Sequence, residues 1–283
     1  MIVTVGEVVW DIFPSRRVLG GAPVNVAYHL LALGLEVTVV TRIGSDSLAE
    51  ETVRCLGAMG VPLAGVQSDP SLPTGRVTVT IGRDNEPHFD IVAPAAWDAI
   101  AIEPVLAMVG DSPFALVYGT LAQRDPRSRA TIRRLRQQAS ARFYDVNLRP
   151  PFTTADLVFD SLPDTDLVKV NGAELLCLGQ WAGIAGSDKK NIAQQLLKQY
   201  NITVLAVTEG PEGAWLLGPE GFCEHAGFPT TVADTVGAGD AFFAALIDGI
   251  LNHRPWSECL ARANQRGSYV AGQHGATPPM PSF

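Results

Sequence analysis

Residues 234–240 read Asp-Thr-Val-Gly-Ala-Gly-Asp and lead directly into the apolar run Ala-Phe-Phe-Ala-Ala-Leu-Ile. This pattern predicts a glycine-rich turn that enters a helix. Glycines let backbone N–H groups converge on an anion, and the helix dipole adds positive potential there. A carboxylate at Asp240 could accept a proton from an attacking hydroxyl group. Asp240 could equally be a helix cap, which is a common use of aspartate.

Outward from this turn, short runs rich in β-branched residues alternate with longer helical patterns. The alternation predicts a mostly parallel sheet with helices on both faces. Ligands bind such sheets at the carboxyl ends of the strands. The expected strands are 2–9, 36–42, 114–118, 142–146, 166–170, 203–207 and 214–217. The expected helices are 23–33, 46–59, 126–140, 153–161, 188–199, 238–251 and 256–272.

Residues 75–92 interrupt this alternation, because two segments of high β-propensity flank the turn-rich stretch 82–87. This is the pattern of a β-hairpin. Such a hairpin is either a lid or small accessory sheet, or an edge hairpin of the main sheet, and the residues alone leave both open. The last residues, Pro-Pro-Met-Pro-Ser-Phe, are expected to form an extended tail.

The bulk composition limits the classes of function. A length of 283 residues fits one large domain or two small ones, and the net charge of −8 argues against a nucleic-acid or anionic-membrane partner. The four cysteines are scattered without a CxxC pair, so neither a zinc site nor a disulfide framework is expected. No signal peptide or 18-residue apolar run is evident, and a cytoplasmic protein without a membrane span is expected.

Five segments together resemble the motifs of the ribokinase-like (PfkB) carbohydrate kinases, in the family's order. They are Gly20-Gly21-Ala22-Pro23-Val24-Asn25, Asp145-Val146-Asn147-Leu148-Arg149, Asn171-Gly172-Ala173-Glu174, Thr208-Glu209-Gly210-Pro211-Glu212-Gly213 and the 234–240 turn. The resemblance implies a ribokinase-like three-layer α/β/α sandwich, with a mostly parallel central sheet and a small β lid. It further implies a single kinase domain over 1–283, with the lid formed by about 10–20 and 73–97.

The resemblance implies transfer of the ATP γ-phosphoryl group to a sugar hydroxyl. Asp240 would be the base, and the turn Gly237, Ala238, Gly239 would stabilise phosphoryl charge together with Arg149. The helix N-terminus is expected to keep Asp240 ionised. For Arg149, a salt bridge with Asp145 at the end of the strand is the alternative interpretation. Lids of this kind often pair between subunits, which predicts a homodimer.

The sugar-binding residues implied by the resemblance are an aspartate that precedes the motifs, residues of the first and second motifs, and the proposed base. They are Asp11, Gly20, Gly21, Asn25, Asn147 and Asp240. A carboxylate at the end of a strand can accept hydroxyl hydrogen bonds, and Asn25 can both donate and accept. Asp11 could instead be a surface turn residue, and Asn25 an exposed helix residue.

The implied nucleotide-side residues are Asn171, Thr208, Gly210, Gly213, Gly237, Gly239 and Asn264. Glu174 would hold Mg²⁺ through water, because magnesium needs few protein carboxylates. Asp234 would contribute to a potassium site near the Gly275 region. The alternatives are a capping box at Asn171 and Glu174, a plain turn after the 203–207 strand, and an exposed asparagine in the last helix.

Within the family, the segments Val5-Gly6-Glu7-Val8-Val9-Trp10-Asp11 and 73–100 are most similar to fructokinases. A kinase for ribose, 2-keto-3-deoxygluconate or a nucleoside is the alternative of the same class. A non-catalytic sugar-binding regulator would have lost the base or the glycine turn, and both are present. A nicotinamide dehydrogenase would carry Gly-x-Gly-x-x-Gly after the first strand, whereas Glu7 and Trp10 stand there.

Overall fold

The computed structural model describes residues 1–81 and 87–281, without the side chains at 81 and 87–89. Its strands are β1 (Ile2–Val5), β2 (Val9–Ile12), β3 (Arg17–Gly20), β4 (Val37–Ile43), β5 (Val66–Ser68), β6 (Arg76–Ile81), β7 (Pro87–Ile91), β8 (Ala115–Gly119), β9 (Ala141–Asp145), β10 (Leu167–Asn171), β11 (Val204–Thr208), β12 (Ala214–Gly218) and β13 (Gly221–His225). Its helices are α1 (Ala22–Leu31), α2 (Ser47–Ala58), α3 (Ile102–Val109), α4 (Pro126–Gln138), α5 (Ala155–Ser161), α6 (Gly172–Trp181), α7 (Lys189–Tyr200), α8 (Ala238–Leu251) and α9 (Trp256–Ala271).

The central sheet has the strand order β13-β12-β11-β10-β9-β8-β1-β4-β5. The pairs from β11 to β5 are parallel, and β12 and β13 are antiparallel. Successive strand residues point to opposite faces, so Leu116 and Leu205 enter one core, while Val117 and Ala206 enter the other. Helices α3–α7 cover the first core and α1, α2, α8 and α9 the second, which confirms the predicted three-layer α/β/α sandwich.

A second, four-stranded sheet has the order β3-β2-β6-β7. The predicted hairpin is therefore part of a small accessory sheet and not an edge of the central sheet; its turn at 82–86 lies outside the described residues. The single strand expected at 2–9 is wrong. The chain leaves the central sheet after Val5, and Val9–Ile12 joins the small sheet instead.

The prediction missed α3, α6 and the short strands β3, β5 and β13. Helix α3 carries Pro104 in its first turn, where proline is tolerated but masks the helical pattern. Helix α6 has apolar residues on most sides, which weakens the 3.6-residue period. Within the described part of the chain, no helix combines the length and apolarity needed to cross a membrane.

Candidate active site

A cavity of about 570 Å³ lies at the carboxyl ends of β1, β9 and β10, between the small sheet and the beginning of α8. This is the edge at which open parallel sheets bind their ligands. It brings together eight of the predicted site residues: Asp11, Gly21, Asn25, Asn147, Arg149, Gly237, Gly239 and Asp240.

The glycine turn forms the start of α8. Gly237 is the N-cap, with φ of 79°, and a Cβ there would lie 2.5 Å from the Cα of Ala276. Only glycine fits both the left-handed backbone and this close approach. The Ala238 amide donates to Thr235 O at 3.3 Å, whereas the next N–H groups of a helix have no intrahelical acceptor. The amides of Gly239 and Asp240 are therefore the ones suited to an anion in the cavity.

Asp240 lies in the first turn of α8, half-buried at the wall of the cavity. Asn25 in α1 donates from Nδ2 to its Oδ2 at 2.8 Å. The pKa of Asp240 is raised to about 6, mainly by burial and also by the charge of Asp145, while the hydrogen bond from Asn25 and the positive charges of Lys169 and Arg149 lower it. The helix N-terminus is expected to keep Asp240 ionised; burial and the neighbouring charges also act on this carboxyl group. Asp240 is mostly ionised at pH 7, but it is a stronger base than an exposed aspartate.

A buried ion pair forms the floor of the cavity beside this carboxylate. Lys169 donates from Nζ to both carboxylate oxygens of Asp145 at 2.9 Å, and both residues are buried. A Cβ on Gly239 would lie 3.3 Å from the same Nζ, so the ammonium group is next to the glycine turn. Sequence reasoning missed Lys169; the available signal was a lysine inside the otherwise apolar run Leu167–Asn171.

The alternative pairing of Asp145 with Arg149 is wrong. Strand β9 ends at Asp145, and Asn147 has a left-handed backbone with φ of 40°, so the side chains of the motif do not alternate along one strand. Arg149 is exposed and donates from Nη1 to Leu148 O at 2.9 Å. Its guanidinium group lines the cavity and keeps its donors available there.

A further carboxylate, Asp11, lies within β2 of the small sheet and lines the cavity, so the interpretation of Asp11 as a surface turn residue is wrong. The pKa of Asp11 is raised to about 6 by burial, while the positive charge of Arg149 lowers it. Gly20 lies directly beside it, and a Cβ there would be 3.4 Å from Asp11 Oδ2. Asn25 is also buried, so the alternative of an exposed helix residue is wrong as well.

Glu7 is a cavity residue that sequence reasoning did not assign to the site. It is 5% exposed, and burial raises its pKa to about 7, while backbone N–H groups and Arg149 lower the pKa and Asp240 raises it. The signal was a glutamate immediately after the buried strand β1. Burial disfavours the ionised form of Glu7, so this carboxyl group changes charge near neutral pH.

Four of the predicted nucleotide-side residues lie at or after the carboxyl ends of β10 and β11. Asn171 ends β10 in register with Thr208, which ends β11, and Gly210 and Gly213 follow. Along with Asn264 and Glu174, they are not among the described residues that line the cavity. Asn171 and Thr208 thus lie at the carboxyl edge of the sheet that also carries the cavity, at neighbouring strands.

Asn171 and Glu174 form the capping box that was the alternative interpretation. Asn171 Oδ1 accepts from Glu174 N, and Glu174 Oε2 accepts from Asn171 N, both at 2.8 Å. The other oxygen, Oε1, accepts from Leu148 N at 2.8 Å. Burial also raises the pKa of Glu174. Each carboxylate oxygen already accepts one backbone amide, which favours a water-mediated metal contact over direct ligation by Glu174.

Asn264 is buried in α9 and donates from Nδ2 to Leu260 O at 2.9 Å, so the alternative of an exposed asparagine is wrong. Asp234 accepts from Val236 N at 3.0 Å and from Gly275 N at 3.2 Å. This brings the turn and the Gly275 region together. Within residues 1–81 and 87–281, no group of three His, Cys, Asp or Glu side chains has metal-binding geometry, so both metal sites stay predictions.

Comparison with known proteins places this arrangement among sugar kinases. A sequence model described as "pfkB family carbohydrate kinase" matches residues 6–282. "Probable fructokinase-7" of Arabidopsis thaliana is 25% identical, covering 100% of this chain and 90% of its own length. A crystal structure of fructokinase from Xylella fastidiosa with bound ATP has a TM-score of 0.86 at 23% identity, covering 98% of this chain and 93% of that one. Fructokinase from Vibrio cholerae O395 in a fructose, ADP and calcium ion bound form has a TM-score of 0.83 at 23% identity, covering 98% and 95%.

Proposed function

This chain belongs to the pfkB family of carbohydrate kinases, and we propose that it transfers the γ-phosphoryl group of ATP to a hydroxyl group of fructose. The observation that carries the proposal is the contact of Asn25 with Asp240, which fixes a basic carboxylate at the mouth of the glycine turn. One group that accepts a proton and amides that bind an anion are thereby held in the same cavity.

Asp240 orients the attacking hydroxyl and accepts its proton. Its pKa of about 6 suits a base that must be ionised at neutral pH yet bind a proton during the reaction. A loose phosphoryl-transfer transition state needs little early deprotonation. The amides of Gly239 and Asp240, with the positive charges of Lys169 and Arg149, stabilise charge on the transferred group.

The acceptor sugar is proposed to bind between α1 and the small sheet. Asp11 accepts hydroxyl hydrogen bonds, Asn25 and Asn147 donate and accept, and Gly20 and Gly21 allow the backbone to approach the ring. The small sheet is proposed to act as a lid that excludes water from the phosphoryl group. Pairing of two such sheets in a homodimer is part of the proposal.

ATP is proposed to lie along Asn171, Thr208, Gly210 and Gly213, with Asn264 on the adenine side. Bound Mg²⁺ would neutralise charge on the phosphates. Glu174 fits this role through water, because both of its oxygens already accept amide hydrogen bonds. Asp234, which is linked to Gly275, is the proposed carboxylate of a potassium site.

Fructose is proposed as the acceptor because the relatives named above are fructokinases. The test is a coupled ADP-release assay with Mg²⁺, with and without K⁺, over fructose, ribose, 2-keto-3-deoxygluconate and nucleosides. We expect the highest kcat/KM with fructose, and turnover lowered by about 100- to 10,000-fold in Asp240→Asn. A higher kcat/KM with another acceptor would replace fructose in the proposal. No ADP release above background with any acceptor would refute the kinase activity itself.

A further inference from the structure

The C-terminal segment 275–279 is not a free tail. It packs behind the glycine turn, where Ala276 lies against Gly237 so closely that a Cβ on the glycine would be 2.5 Å from the Cα of Ala276. Gly275 N donates to Asp234 at the other end of the turn at 3.2 Å. The segment is therefore the inner support of the turn, whose outer side is exposed, with Val236 at 49%.

Helix α1 holds this segment from the opposite side. Tyr28 donates from its hydroxyl to Pro278 O at 2.9 Å. His29 Nε2 lies 2.9 Å from Ala276 O. A carbonyl oxygen can only accept, so Nε2 carries the proton and donates. Tyr269 in α9 adds a hydrogen bond to Pro279 O at 2.9 Å.

His29 is fully buried at this contact. Its Nδ1 has no hydrogen-bond partner among the described residues. Burial lowers the pKa of His29 to about 4, so the ring is neutral at physiological pH and its proton is fixed on Nε2. A buried imidazole with one unsatisfied nitrogen is costly, whereas an apolar side chain would fill the same space without that cost. The hydrogen bond to Ala276 is therefore a property of histidine at this position that packing alone does not require.

These contacts connect helix α1 to the glycine turn at two points. Helix α1 reaches Asp240 through Asn25 and reaches Gly237 through His29 and Ala276. We propose that His29 is a positioning residue, which holds Ala276 against Gly237 and so fixes the amides of the glycine turn relative to the Asp240 carboxylate. The inference rests on the proposed kinase function and assigns to it a residue more than one helical turn away from the cavity.

The proposal predicts which step suffers when the contact is lost. Without the His29 donor, Ala276 can move away and the turn is free to shift on its exposed side. A misplacement of about 1 Å in a site that stabilises a transition state can cost about 100-fold in rate. The acceptor side, built on Asp11 and Asn25, keeps its own contacts. The defect should therefore appear in kcat and in the KM for ATP, and not in fructose affinity.

The test compares His29→Leu, which removes the donor, with His29→Gln, whose amide can still donate to Ala276 O. His29→Phe also removes the donor but keeps an aromatic ring in the same place. Thr131→Val is the matched control, because Thr131 also donates from a buried side chain to a backbone carbonyl, Ile100 O, on the opposite face of the central sheet. Steady-state kinetics, fructose binding by calorimetry and melting temperature are measured for each full-length variant.

We expect His29→Leu to lower kcat by about 10- to 100-fold and to raise the KM for ATP, with the fructose Kd within about twofold of the original protein. His29→Gln should recover most of the activity, and Thr131→Val should lose stability but keep normal kinetics. Kinetics of His29→Leu that match Thr131→Val, or a parallel loss of fructose binding, would overturn the proposal. If His29→Leu does not fold, His29→Phe decides in the same way, since normal kinetics there would overturn the proposal. Absence of kinase activity in the unmodified protein would instead overturn the proposed function and this inference with it.

Discussion

Asp240→Asn should make this protein inactive and, at neutral pH, more stable. The carboxylate is half-buried, and its pKa is raised from 3.8 to about 6, mainly by burial. Ionised Asp240 is therefore less favourable in the folded chain than in the unfolded one. Asparagine has nearly the same shape, carries no charge, and still offers an oxygen to the Asn25 donor that now bonds Oδ2 at 2.8 Å.

The size of the stability change follows from the pKa. A difference of about 2 pH units corresponds to roughly 3 kcal/mol, and partial access to the cavity reduces this to roughly 1–3 kcal/mol. Well below pH 3.8 the group is neutral in both states and the penalty is absent. The penalty grows as the pH rises from about 3.8 towards 6 and is complete above that. The stability gain of Asp240→Asn should therefore be near zero at about pH 2.5 and maximal at pH 7.

The turnover should fall at the same time by about 100- to 10,000-fold, the usual contribution of a general base. Urea unfolding at several pH values and the coupled ADP assay measure the two effects. Asp188→Asn is the control, because it makes the same chemical change at the exposed N-cap of α7 and should alter neither quantity by much. Turnover within tenfold of the original protein, or a variant less stable than the original at pH 7, would refute the reasoning.

Two other perturbations probe the surroundings of Asp240. Asn25→Ala removes a hydrogen bond that lowers the pKa of Asp240, so the acidic limb of the kcat–pH profile should move above its expected position near pH 6; an unmoved limb would show that another group controls it. Lys169→Met leaves Asp145 as an uncompensated buried charge, which should cost about 3–5 kcal/mol of unfolding free energy at pH 7. The double variant Lys169→Met with Asp145→Asn should recover most of that loss in urea unfolding, and a full loss in both would contradict the role of the ion pair.

Much of the fold could be predicted from local patterns. Strands β4 and β8–β11, and helices such as α4 and α8, came within a few residues of their predicted bounds, because periodicity and caps are local properties. The first strand failed at its end, since Ile2–Val5 and Val9–Ile12 have the same β-propensity but pair with different sheets. Propensity does not contain the identity of the partner strand, and only the tertiary structure supplies it.

The features of the site also fall into those that local sequence determines and those that tertiary contacts determine. The sequence by itself determined the glycine turn, the aspartate at its end and the order of the family motifs, because backbone freedom at glycine and carboxylate chemistry belong to the residues. Only the tertiary structure decided that Asn25 bonds Asp240, that Lys169 pairs with Asp145 in place of Arg149, and that Ala276 supports Gly237. These contacts join residues far apart in the chain, and the pKa of Asp240 depends on the burial and charges that they create. The presence of a carboxylate beside a glycine turn is thus a local property of this chain, whereas the pKa and the position of that carboxylate depend on long-range packing.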